Sequence, residues 1–309
     1  MVKVEQEVLG MTKSVGIIGL GHMGGAVARR FLKLGYHCTV FDTVRERMDA
    51  LEKLGADKAE SPRGVADQCS VVISLLPSPE ISKSVALGFD GIIQGSKITH
   101  YIEASTIGLS AVREIGAELR QKNIELIDAP ISGGPPAIEA YTLTTMISGS
   151  PEALKATKDV MAAFCKKVFH VGDEPGHAQA CKLVNNAMSL SNMVIASEAA
   201  VFGVAAGLDP GVMIDVVNAS TGRSAVTEDK FPKYILNRRF DYGGALATGE
   251  KDLKLFVEEA RKLGALTALS PIAAEIWHKA GAESDPSHDG TELIKWFEAP
   301  LGVVVGKPE

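Results

Sequence analysis

Three short stretches of this 309-residue chain carry residue types and spacings that could do chemistry. The first is Gly19-Leu20-Gly21-His22-Met23-Gly24, a G-x-G-x-x-G turn near the N-terminus. Between a strand and a helix, such glycines allow a tight turn, close approach of backbone to a pyrophosphate, and close helix–strand packing. A helix opening there offers free N–H groups and a positive dipole end to phosphate. Asp42 stands 23 residues after Gly19, where an acid accepts hydrogen bonds from adenosine ribose hydroxyls. A carboxylate there repels a 2′-phosphate, so NAD is expected over NADP. Arg45 and Arg47, close by in the chain, weaken that argument.

The second stretch is Asp128-Ala129-Pro130-Ile131-Ser132-Gly133-Gly134. Its small-residue turn exposes backbone N–H groups and a hydroxyl, which suits a carboxylate or phosphate. Taken alone it is only a loop. The third runs from Gly176 to Asn186 and contains Lys182 and Asn186, which share a helix face at i and i+4. Burying a lysine in an apolar setting is costly, and partial burial lowers its pKa toward that of a usable proton donor or acceptor. A lysine at a helix start that snorkels to water fits the same residues equally well.

These groups need elements to position them. Apolar runs predict strands at 14–20, 37–41, 69–76, 97–104, 124–128 and 142–148, with helical patterns at 25–34 and 45–54. This alternation signals βαβ units and a doubly wound, mainly parallel sheet. After about residue 172 the strand patterns stop. Residues 176–206 read as one helix of ~46 Å, apolar almost all round, as at the centre of a helical domain or a subunit interface. Further helical patterns cover 210–219, 229–237, 250–263, 271–281 and 290–297. The expected organisation is an N-terminal extension or tag at 1–10, a dinucleotide-binding domain at 11–172, and an all-helical substrate and oligomerisation domain at 173–309.

Composition narrows the function classes. With 46% hydrophobic and 23% charged residues, long disorder is excluded. The 32 basic residues are fewer than the 38 acidic ones and form no stripe, so no nucleic-acid partner is expected. Cys38, Cys69, Cys165 and Cys181 match no zinc spacing. They read as buried apolar residues in a reduced, cytoplasmic protein, and no metal site is expected. No uninterrupted apolar run approaches the ~18–20 residues of a membrane span. Residues 1–10 have no apolar h-region, so they do not read as a signal peptide.

Several motifs in this order resemble the β-hydroxyacid dehydrogenases, the group of 3-hydroxyisobutyrate dehydrogenase, tartronate semialdehyde reductase and 6-phosphogluconate dehydrogenase. They are the glycine turn, Leu76-Pro77, Ser105-Thr106-Ile107, Asp128 to Gly134, Gly176 to Asn186, Gly222-Arg223-Ser224 and Lys251-Asp252-Leu253. The resemblance implies a Rossmann-like N-terminal domain, a long connecting helix and a helical C-terminal domain. It also implies hydride transfer between a nicotinamide cofactor and a small 3-hydroxy acid or its semialdehyde. By the same resemblance Lys182 is the general acid/base and Asn186 helps orient the substrate. Ser132, Gly133 and Gly134 bind the substrate carboxylate. Gly19, Gly21, His22, Met23, Gly24, Asp42, Leu76, Pro77 and Thr106 line the cofactor, and Lys251 lines the cofactor or the closed site. A homodimer or homotetramer is expected from the apolar long helix, with no membrane partner. Ala137, Tyr141 and Ala178 stand where relatives commonly have glycine, which leaves the substrate open. The alternatives are an imine reductase on the same scaffold, which generally lacks the lysine, and a catalytically silent NAD-binding protein.

Overall fold

The computed structural model describes residues 13–134, 137–138 and 140–307. The expected extension at 1–10 lies outside the described residues. The chain divides into two compact units, one ending at Lys182 and the other starting at Leu183.

In the first unit, β1 (Ser14–Ile18), β2 (His37–Phe41), β3 (Asp57–Lys58), β4 (Val71–Ser74), β5 (His100–Glu103) and β6 (Glu125–Asp128) form the parallel part of one sheet, in the order 3-2-1-4-5-6. That is the doubly wound order, with its topological switch between β1 and β4. Strand alternation explains why both faces are covered. Ile17, Ile73, Ile102 and Ile127 pack on one face, beneath α1 (His22–Lys33), α2 (Arg45–Glu52) and a later helix. Ile18, Val72, Tyr101 and Leu126 pack on the other, beneath α3 (Pro62–Ala66), α4 (Pro79–Leu87) and α5 (Gly108–Arg120). Successive side chains point to opposite faces, so a strand buried on both sides is apolar throughout.

The sheet then reverses. β7 (Ile131–Ser132) and β6 both pair antiparallel with β8 (Thr144–Ser148), and β9 (Lys167–Gly172) joins β8 in parallel after α6 (Pro151–Phe164). Neither α6 nor β9 was read from the sequence. The side chains of β9 are largely exposed, so it lacks the apolar run that marked the other strands. The Tyr141 hydroxyl donates to the Ala162 carbonyl at 2.7 Å, and the Arg30 guanidinium lies 4.2 Å from the ring centroid. The ring therefore braces α1 and α6. Cys181 departs from the expected burial and is half-exposed, while Cys38, Cys69 and Cys165 are buried.

α7 (His177–Ala205) runs from the end of the first unit through the second. At 29 residues it is long and apolar enough to cross a membrane by length and composition alone, although no uninterrupted apolar run within it approaches that length. Its polar residues break every such run, yet its mean hydropathy stays high. Ala187, Met193, Val194, Ala200 and Val201 of this helix enter the core of the second unit. That core also takes Ile214 from α8 (Pro210–Asn218), Phe231 from a π-helical stretch (Val226–Ile235), Leu253 from α9 (Leu246–Lys262), Trp277 from α10 (Ser270–Glu283) and Ile294 from α11 (Leu293–Glu298). The Trp277 indole N–H donates to the Leu190 carbonyl at 3.2 Å, so this large apolar anchor also satisfies its polar atom.

Candidate active site

The residues singled out in the first unit gather at the C-terminal ends of the parallel strands. Gly19 follows β1, Asp42 follows β2, Leu76 and Pro77 follow β4, Thr106 follows β5, and the stretch from Asp128 to Ser132 follows β6. In open α/β sheets this edge is where ligands bind.

Each glycine of the turn has a separate physical reason. Gly19 has φ +83°, and a Cβ there would meet the Leu75 carbonyl oxygen at 2.4 Å. A Cβ on Gly24 would lie 1.8 Å from the Gly19 carbonyl oxygen, so α1 can approach β1 only with glycine at this position. Gly21 has open space around its missing Cβ, which leaves room for a phosphate against the backbone. The turn thus fits the pyrophosphate of a dinucleotide.

Asp42 is 7% exposed and fixes that turn to the end of β2. One carboxylate oxygen accepts from the Leu20 N–H at 2.6 Å and the other from the Val44 N–H at 2.8 Å. The Arg47 guanidinium sits 3.3 Å from the same carboxylate and lines a pocket with Leu20, Gly21, His22 and Arg29. The pocket beside the glycine turn is therefore bordered by a buried acid and basic side chains.

At the other end of the sheet, Ser132 belongs to β7 and Gly133 adopts φ +126°. A Cβ on Gly133 would press on Ala137 and Leu143, so this turn is closed to larger residues. Lys182 lies on the second turn of α7 and is 8% exposed, which settles the sequence ambiguity against a freely snorkelling lysine. Ser148 and Asp128, at the ends of β8 and β6, receive the start of this helix. The Asp128 carboxylate accepts from the backbone N–H groups of Gly176 and Gln179, and the Ser148 hydroxyl accepts from the Ala178 N–H. Burial pushes the Asp128 carboxyl up, while its hydrogen bonds, first that from the Gln179 side chain, oppose the rise.

In the second unit, Asn186 and Lys251 meet through a residue to which the sequence analysis gave no role. The Asn186 amide donates to Asp252 at 2.6 Å, and the Lys251 ammonium lies 3.1 Å from the other carboxylate oxygen. Asp252 is 5% exposed. Its place beside Lys251 in the motif was visible, but its contact with Asn186 depends on α7 meeting α9. Gln179 was likewise overlooked, because a glutamine on an apolar helix gives no signal of its partners.

The sheet order and the glycine turn define a dinucleotide-binding fold, followed in the chain by a helical second unit. Residues 14–172 match the model of the NAD binding domain of 6-phosphogluconate dehydrogenase, and residues 176–297 match that of the NAD-binding region of NADP-dependent 3-hydroxyisobutyrate dehydrogenase. The chain is 32% identical to a 2-(hydroxymethyl)glutarate dehydrogenase of Eubacterium barkeri, over 96% of this chain and 99% of the relative. It is also 32% identical to an NAD-dependent L-serine dehydrogenase of Pseudomonas aeruginosa, over 94% and 99%. A Mycobacterium tuberculosis 3-hydroxyisobutyrate dehydrogenase structure with L-serine superposes with a TM-score of 0.84 at 26% identity, covering 92% of this chain and 99% of that one. An imine reductase from Pseudomonas sp., at 19% identity and a TM-score of 0.60, shares the fold. The chain belongs to the β-hydroxyacid dehydrogenase family. Membership carries NAD(P)-dependent hydroxyacid dehydrogenase activity.

Proposed function

We propose that this protein interconverts a small 3-hydroxy acid and its semialdehyde with NAD as the preferred cofactor, using Lys182 as general acid/base and no metal. The observation that carries this reading is the burial of Lys182 on a helix whose start is pinned to Asp128, four residues before Ser132 on the same chain segment. A proton-transfer group and a carboxylate-binding turn thus share one rigid support.

The nicotinamide ring supplies the hydride acceptor in oxidation and the hydride donor in reduction. The protein's own groups do the rest. The Ser132 hydroxyl and the N–H groups of Gly133 and Gly134 hold the substrate carboxylate, which fixes the position of the reacting carbon. In oxidation the Lys182 amine takes the hydroxyl proton, and in reduction the Lys182 ammonium returns one to the forming alkoxide. Asn186, itself oriented by Asp252, positions the same hydroxyl. Leu76, Pro77 and Thr106 border the cofactor, and Lys251 lines the site.

NAD preference rests on the buried Asp42 carboxylate, which opposes a 2′-phosphate. Arg47, 3.3 Å away, offsets part of that charge, so discrimination is expected to be finite. A panel of 3-hydroxy acids and semialdehydes assayed with both cofactors tests the whole reading. Turnover of a short 3-hydroxy acid with higher kcat/KM for NAD is expected. Activity confined to imines, or a preference for NADP, would overturn the corresponding part.

The same reading includes a homo-oligomer. On α7, Val184, Met188, Ile195 and Phe202 are between 53% and 75% exposed, and their spacings of four, seven and seven keep them on one side of the helix. Apolar side chains in such a row, together with the exposed pair Val212 and Val216 on α8, suit burial against a second copy. Light scattering is expected to give a dimer or tetramer, and a monomer at micromolar concentration sinks this part.

A further inference from the structure

We propose that Gln179 and Asp128 are positioning residues for Lys182, locking the first turn of α7 to the strand ends that carry the cofactor and carboxylate loops. The inference rests on the reading of Lys182 as acid/base and deepens it.

Gln179 and Asp128 are both fully buried, and every polar atom of the two side chains has a partner. The Gln179 amide N–H group donates to the Ser105 carbonyl at 3.0 Å and to the Asp128 carboxylate at 2.9 Å. Its amide oxygen accepts from the N–H groups of Ile107 and Gly108 at 2.9 and 3.0 Å. Those are donors at the start of α5, whose own flanking residue, Ile107, has no side chain able to cap it. Gln179 therefore closes a helix that its own sequence leaves open.

Asp128 completes the clamp from β6. One oxygen accepts from the Gln179 amide. The other accepts from Gly176 N–H at 2.9 Å, Gln179 N–H at 3.1 Å and the Ser148 hydroxyl at 3.1 Å. The chain of contacts continues toward the cofactor loop, where the Ser105 hydroxyl accepts from the Leu76 N–H at 2.7 Å. One connected polar network thus joins the ends of β4, β5, β6 and β8 to the start of α7.

Lys182 follows Gln179 by three residues, so the two are neighbours on one side of the helix, about 4.5 Å apart along its axis. An axial slip or rotation of this turn carries the Lys182 amine with it. Misplacing a reacting group by about 1 Å can cost on the order of 100-fold in rate. A buried network is also all-or-none, because removing one member leaves several others unsatisfied.

The test uses the full-length protein with NADH bound. Two variants, Gln179→Ala and Gln179→Glu, are compared with wild type by kcat and KM, and by the rate at which acetic anhydride modifies Lys182, read by peptide mass spectrometry. For Gln179→Ala, kcat is expected to fall roughly 10- to 100-fold, by more than any rise in cofactor KM that the loosened Ser105 to Gly108 segment produces. Lys182 should acetylate several times faster while exposed lysines keep their rates. Gln179→Glu keeps the acceptor toward Ile107 and Gly108, but it can restore only one of the two donations, to Asp128 or to Ser105, and only when protonated. Its kcat relative to wild type should therefore recover in part at acid pH and fall as pH rises. That ratio also carries the test if Gln179→Ala does not fold. A flat ratio across pH, or Lys182 reactivity within twofold of wild type in a folded Gln179→Ala, overturns the proposal. A wild type that turns over no hydroxy acid, with Lys182 still deprotected in Gln179→Ala, overturns the activity reading and supports the clamp.

Discussion

Replacing Lys182 with alanine is expected to lower kcat for hydroxy-acid oxidation by roughly 10²–10⁴-fold, the range that a positioned acid/base contributes. NADH affinity should change little, because the glycine turn is held at other strand ends by the hydrogen bonds of Leu20 and Val44 to Asp42. Lys182→Arg should not rescue turnover. It keeps a positive charge, but a guanidinium does not give up its proton near neutral pH. The measurement is steady-state kinetics in both directions alongside fluorescence titration of NADH. If Lys182→Ala retains turnover within tenfold of wild type while binding NADH normally, proton transfer belongs to another group. The effect is large for a structural reason. The side chain is 8% exposed, so water has poor access to stand in for the missing amine.

The second large effect separates two glycines of one turn. Gly21 has φ −61°, which alanine adopts freely, and nothing lies within 4 Å of where its Cβ would be. Gly21→Ala is therefore expected to leave Tm unchanged while raising the NADH dissociation constant tenfold or more, a loss of about 1.4 kcal/mol. Gly24→Ala should do the opposite first. Its Cβ would meet the Gly19 carbonyl oxygen at 1.8 Å, so α1 must lift off β1. Overpacking of this kind costs about 1–3 kcal/mol, and for a unit of the size of the first, which ends at Lys182, each kcal/mol lowers Tm by about 2–4 °C. Cofactor affinity then falls as a consequence of the displaced helix. Thermal melts with and without NADH distinguish the two cases. Equal destabilisation of both apo variants would remove the assigned division of roles.

The contrast between Gly21 and Gly24 shows how far residue types alone could go. Both are glycine in the motif, and the motif says that both matter. Which of them makes room for ligand and which makes room for a helix is settled only by what surrounds each missing Cβ. Lys182 is similar. Its presence on an apolar helix fits two readings, and its 8% exposure speaks against the one in which the ammonium reaches freely into water. Tyr141 shows another limit, since nothing in its sequence neighbourhood announces the bond to Ala162 or the stacking with Arg30. β9 leaves little trace in the sequence because it is an exposed strand whose pairing with β8 comes from tertiary context, whereas α6 carries the local signals of a helix, with Ser150 as its cap and Pro151 in its first turn.

What the amino-acid sequence determined by itself was local and periodic. Buried strands alternating with amphipathic helices specified a parallel sheet, and glycine spacing specified a phosphate turn, because both follow from backbone geometry over a few residues. What only the tertiary structure decided was every relation between groups far apart in the chain. Asp128 meets Gln179 across 51 residues, and Asn186 meets Asp252 across 66. Such partners leave no periodic trace, since a buried glutamine or aspartate is stable only when distant donors and acceptors arrive together. The chemistry was legible as a set of residue types, and the folded chain supplied the hydrogen bonds that hold them in place.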